Sequence, residues 1–230
     1  TLDTTTGLHW HEMTNNQRVA SAINTGNVVL DSPKNKIAAD GFLSANSVSL
    51  VVPSGAAAGT YVGSGALFGG SATRLQSLSG TLELVNDGSG ASTSDACEPL
   101  VGFTPGRIAF IDRGTCQFGL KVLNAEKAGA RGVVVANNQG GTALINMAPG
   151  VVGRQASIPA MSITQNDGTI VRAALPTDGS FSVTSVHGVH ANGFPLVYAP
   201  NPVELGSSIS HYDTLVYPNA LMEPFVDPDL

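Results

Sequence analysis

One stretch of the sequence constrains the fold more than any other: Gly106 to Asn138, GRIAFIDRGTCQFGLKVLNAEKAGARGVVVANN. Its hydrophobic period changes twice. Arg107 to Ile111 is a short apolar run rich in β-branched and aromatic side chains, the pattern of a buried strand. Asp112-Arg113-Gly114-Thr115 interrupts that run with turn residues. From Gln117 onward the spacing becomes helical: Phe118, Val122, Ala125 and Gly129 share one face, which leaves Lys121 and Lys127 for solvent. Gly129 suits the position just past the helix, where a left-handed backbone costs glycine least. Gly132 to Ala136 is again short and apolar, as a buried parallel strand is. Strand, helix and strand in this order predict a right-handed β-α-β unit. No Gly-x-Gly-x-x-Gly joins the first strand to the helix, which argues against a dinucleotide site. On a solvated helix face Lys121 reads as a surface lysine, not as a catalytic base.

These residues resemble the protease-associated (PA) domain. Asp-Arg-Gly-x-Cys-x-Phe, then Lys-x-x-x-Ala-x-x-Ala-Gly-Ala, then an apolar strand ending in Asn-Asn, is filled here by Gly106, Arg113, Gly114, Cys116, Phe118, Lys121, Ala125, Ala128, Gly129, Ala130, Asn137 and Asn138. The resemblance implies an α+β, mostly β fold: a β-barrel-like sheet flanked by short helices, with irregular N- and C-terminal extensions. It covers residues 42–186 and leaves 1–41 and 187–230 as flanking segments of a host protease.

The chain begins at Thr1 without a methionine or a signal peptide, and so reads as a processed product or an excised piece. A hydrophobic content of 42% against 12% charged residues supplies a core. The 27 glycines and 13 prolines point to many turns between short strands. A formal charge of −6 argues against nucleic acid and anionic membranes as partners, since both need a basic face. No apolar run reaches spanning length.

Cys97 precedes the central unit and Cys116 lies in its turn. If both sit at one end of the sheet they can pair, closing a loop of roughly twenty residues worth about 3 kcal/mol. Two buried free thiols are the other reading. The resemblance favours the pair, because PA domains of secreted proteins often carry cysteines here, and with it a secreted or extracytoplasmic setting. No histidine lies near either cysteine in sequence, so neither reads as a nucleophile.

Before the central unit, Thr14 is placed to cap a helix through Ala22, with Val19, Ala22 and Ile23 as its apolar side and Gly26 at its end. Asn27 to Leu30 reads as a strand. His9 and His11 alternate as metal ligands on a strand do, but one His-x-His pair is weak, and structural histidines are the better reading. Phe42 to Asn86 reads as all-β, with strands at 48–52, 61–68 and 78–85. After it come a loop at 139–155, a strand at 157–164, a helix capped by Asn166 or Asp167, and a closing strand at 181–186. The loop at 139–155 and the segment around 56–70 are exposed candidates for ligand contact.

The tail contains Gly206-Ser-Ser-Ile-Ser-His211-Tyr-Asp213, followed by Leu221-Met222-Glu-Pro224. Ser210 and His211 are adjacent, and on an extended chain they face opposite ways, which argues against a Ser-His-Asp set. The spacing is similar to the end of the zinc site in leishmanolysin-like metzincin proteases. That likeness implies His211 as third zinc ligand and Met222 as the methionine of the turn beneath the metal, with Tyr212 where tryptophan is commoner. Catalytic zinc takes three protein ligands, a water and a nearby base, and no His-Glu-x-x-His helix occurs between Thr1 and Leu230. The zinc would belong to the full-length parent, and no cofactor and no catalysis are expected of this chain alone. Its expected partners are polypeptide substrate or the parent catalytic domain. A free-standing interaction or sorting module is the competing expectation.

Overall fold

The computed structural model describes residues 1–218, 223 and 224. The chain forms two units: Thr1–Leu43 with His187–Leu230, and Ser44–Val186.

In the first unit, β1 (Leu2–Asp3) is the middle strand of a small antiparallel sheet, between β2 (Leu8–His9) and β3 (Val28–Val29). Helix α1 (Asn15–Ser21) begins at Thr14 through a capping box. Thr14 Oγ1 accepts from Gln17 N, and Gln17 Oε1 accepts from Thr14 N at 2.9 Å. Val19, expected on the apolar side of that helix, is 67% exposed. A second helix, α2 (Pro33–Phe42), has no counterpart in the sequence expectations. Ser32 caps it and Pro33 occupies its first turn, where the missing N–H costs nothing. Val28 packs with Val197 and Ala199, and Val197 N donates to Val28 O, so the two flanking segments share one small core.

The second unit is a closed barrel. Its strands are β4 (Ala45–Val52), β5 (Gly59–Gly65), β6 (Ser79–Leu84), β7 (Ile108–Asp112), β8 (Gly132–Ala136), β9 (Ala160–Ile163) and β10 (Thr177–Val186). Around the barrel they run β10-β4-β5-β9-β8-β7-β6, and β10 closes the ring by pairing with both β4 and β6. The four strands β6 to β9 lie parallel; the remaining pairings are antiparallel. Helices α3 (Ala72–Gln76), α4 (Phe118–Lys127) and α5 (Gln165–Ala173) complete the unit. The expected α+β barrel with short helices is therefore the observed architecture.

The β-α-β unit is β7, α4 and β8, with Ile108 opposite Gly132 and Asp112 opposite Ala136. Its strands are apolar throughout because both faces are buried. Ile108 and Phe110 point into the barrel core with Leu50, Leu82, Val134 and Met161. Ala109 and Ile111 point outward, into a second core with Val122 and Ala125 of α4. Gly129 ends the helix at φ 90°.

Three expectations fail here. The region 42–86 is not all-β, since α2 ends in it and α3 lies within it. The cap of α5 is Thr164, whose Oγ1 accepts from Asp167 N at 3.1 Å, two residues earlier than Asn166. Lys121 is not on a solvated face; it is fully buried.

Candidate functional site

Parallel neighbours end on the same rim, so β7 and β8 deliver the motif residues Asp112-Arg113-Gly114 and Asn137-Asn138 to one place. There they bind each other. Arg113 N donates to Ala136 O at 2.8 Å and Arg113 Nη1 to Asn137 Oδ1 at 3.0 Å. Asn138 Nδ2 returns a bond to Arg113 O at 2.7 Å, while Asn137 Nδ2 holds Ala143 O at 2.9 Å. Asp112 accepts from Ser94 Oγ at 2.6 Å and pairs with Arg172 of α5. A side chain at Gly114 would run into the carboxylate of Asp95. The motif thus braces two strand ends and a turn.

Beneath that turn, Cys97 and Cys116 form a disulfide with Cα atoms 5.7 Å apart. Lys121 reaches the same place from α4. Its Nζ donates to Asp95 O at 2.5 Å, lies 3.3 Å from Cys97 Sγ and stands 4.0 Å from Asp95 Oδ2. Burial pushes its pKa below the usual lysine value, against the pull of Asp95, Asp87 and Glu98. A helical wheel assigns this lysine to solvent because the wheel knows nothing of the loop around Asp95 that folds over it.

The two candidate ligand segments are less open than the sequence suggests. Leu67 N donates to Met147 O at 3.1 Å, and Phe68, Ile145 and Met147 are buried. Exposed apolar side chains remain at Leu144 and, at 83% exposure, Val151.

In the first unit, His9 is held between two carboxylates. Nε2 lies 2.6 Å from Asp31 Oδ2 and Nδ1 lies 3.2 Å from Glu12 Oε2. Hydrogen bonds to Asp31 first, then Glu12, raise its pKa above 6.5. A ring that donates from both nitrogens has no lone pair for a metal. The raised pKa means that the stabilising contribution of these contacts is full below pH 6.5 and is lost as pH rises through the folded-state value. In an NMR titration the His9 ring should turn over above pH 6.5, and Asp31→Asn should bring the midpoint down; an unmoved midpoint would count against the pairing. His11 stacks on His9 with ring centroids 5.7 Å apart. Among the described residues no histidine belongs to a group of three potential metal ligands, so His9, His11 and His211 do not gather around one point.

His211 sits beside Leu30, Val197, Ile209 and Tyr212 in a small hollow. Ile209 has φ 67°, so the chain here is a turn and not an extended strand. The expected separation of Ser210 from His211 therefore fails: Ser210 Oγ lies 2.8 Å from His211 Nδ1, which is also 3.0 Å from Ser207 O. This is still not a triad. Serine occupies the nitrogen that a triad carboxylate would hold, and buried Asp213 accepts from Leu215 N at 2.9 Å. Burial pushes the Asp213 carboxyl up. With Nδ1 donating to Ser207 O, Nε2 carries the lone pair, and among the described residues nothing bonds to it. Met222 lies outside the described residues.

Residues 80–171, from β6 into α5, match the PA domain family. The chain is 30% identical over 122 residues to Signal peptide peptidase-like 2 of Arabidopsis thaliana, a match that covers 53% of this chain and 22% of that protein. It is 40% identical over 63 residues to Aminopeptidase YwaD of Bacillus subtilis (strain 168), covering 27% and 13%. Among solved structures it is similar to BSAP, a zinc aminopeptidase from Bacillus subtilis, with a TM-score of 0.43, 17% identity, and coverage of 74% of this chain and 43% of that one. The chain spans 22% or less of the length of these two curated relatives.

Proposed function

We propose that this chain is the PA domain, with flanking segments, of a secreted zinc metalloprotease, and that it binds polypeptide substrate or governs access to the active site without cutting. The observation that carries the reading is the PA-domain match over residues 80–171 together with peptidases among the relatives. The chemistry of the chain agrees. The motif residues brace a rim, and the contact between Ser210 and His211 lacks the carboxylate that a triad sets on Nδ1.

The host reading extends to a leishmanolysin-like zinc site. His211 supports it: Nδ1 is anchored by Ser207 and Ser210, and Nε2 is left for a ligand bond, the arrangement common to metal-bound histidines. A single imidazole does not hold zinc. His211 fits as one ligand of a set completed elsewhere in the parent, where zinc would activate a water. The chain's own contribution is to fix the tautomer and direction of that ring.

The test uses the parent protein with and without residues 44–186. Removal should raise KM for a folded polypeptide substrate and leave kcat on a short chromogenic peptide within about twofold. Identical KM values for the two forms, or a parent with no peptidase activity, would overturn the reading and favour a free-standing binding module.

A further inference from the structure

The strongest unassigned feature is a cluster of three carboxylates packed against the disulfide. Ligand oxygens of Asp87, Asp95 and Glu98 lie within 4.8 Å of one another. Oxygens on opposite sides of a calcium ion bound at about 2.4 Å are about 4.8 Å apart, so the cluster has the right size for that ion. Asp87 and Asp95 are each 3% exposed.

Hydrogen bonding does not satisfy this cluster. Asp87 Oδ2 and Asp95 Oδ1 both accept from Cys97 N, at 3.1 and 3.2 Å. Asp87 Oδ1 and Glu98 Oε2 are buried and have no hydrogen-bond partner among the described residues. Lys121 is the cation at hand, but its Nζ stands 4.0 Å from Asp95 Oδ2 and donates to Asp95 O. One ammonium against three carboxylates leaves two negative charges in a buried place. Carboxylates are almost never left so unless they are paired or hold a metal.

We propose that Asp87, Asp95 and Glu98 bind one divalent hard cation, calcium, with waters or nearby carbonyls completing its shell. All three donors are oxygens, which selects a hard ion over zinc or copper. The ligands come from a single irregular loop in which Gly88 and Gly90 adopt φ 74° and 95°. Such a loop tolerates the large, variable shell of calcium better than the strict octahedron of magnesium. Bound there, the ion would tie the loop to the disulfide and to the rim above it. This site is independent of His211 and of any host zinc.

The probe is calcium chloride, titrated by calorimetry into the oxidised chain after chelator treatment, with thermal melts in parallel. One equivalent should bind with Kd of about 10⁻⁴–10⁻³ M, the range of extracellular calcium modules, and should raise Tm. Glu98→Gln, at a half-buried position, should weaken binding at least about tenfold, as should Asp87→Asn in a second variant, because affinity follows ligand charge. No heat and no rise in Tm up to about 10 mM calcium would overturn the proposal. So would full binding by both variants, or magnesium bound as tightly as calcium.

Discussion

Replacing Lys121 with methionine should destabilise the barrel by about 3–5 kcal/mol, the loss expected when one partner of a buried ion pair is removed. The volume of the side chain is nearly kept, so the loss is electrostatic. Three carboxylates pull on this ammonium, Asp95 the most strongly. In calcium-free protein, removing it leaves them without a counter-charge and strips Asp95 O of its donor. The measurement is urea unfolding, with the midpoint falling and the slope unchanged. A double variant, Lys121→Met with Asp95→Asn, should lose less than the sum of the two single changes, because the second substitution removes a charge that the first had orphaned. A loss below about 1 kcal/mol for Lys121→Met would mean that the lysine is neutral or solvated in the folded protein, and the reading of this node would fall.

Reducing the disulfide should cost about 3 kcal/mol, the chain-entropy value for a loop of this length. Cys97 and Cys116 are separated by 19 residues, and the segment between them contains the whole of β7. Without the cross-link the polar loop before β7 is free to leave in the unfolded chain and must be recaptured on folding. The test compares urea midpoints with and without reductant, with thiol labelling to prove the bond open. Cys97→Ser with Cys116→Ser should reproduce the loss. Equal midpoints for verified oxidised and reduced protein would exclude a stabilising role.

The β-α-β unit was legible because its signals are local. A run of apolar residues buried on both faces, a turn, a helical period and a glycine past the last turn all lie within β7, α4 and β8. The expectations fail where the deciding partner is distant in sequence or where a local exception overrides the pattern. Lys121 meets Asp95 across 26 residues, and no helical wheel contains that contact. Ser210 meets His211 because Ile209 takes a left-handed conformation that a β-branched residue rarely adopts. Helix α2 carried a readable start, Ser32 then Pro33, but its Ile37 and Phe42 are exposed, so it has little apolar stripe to announce it. The start of α5 was also available in the sequence: Thr164 is a favoured capping residue, and its hydroxyl accepts from Asp167 N and donates to the Asp167 carboxylate. The carboxylate cluster was not legible. Asp87, Asp95 and Glu98 follow no spacing that a periodic element would bring together, and only the fold sets their oxygens within 4.8 Å of one another.

The first and last strands of the barrel leave it side by side: Ala45 is paired with Val186. A carrier chain interrupted at this point therefore sees a gap no wider than a strand pair, whatever the length of the sequence between. The entropic penalty of accommodating such an insert is that of a short hairpin loop.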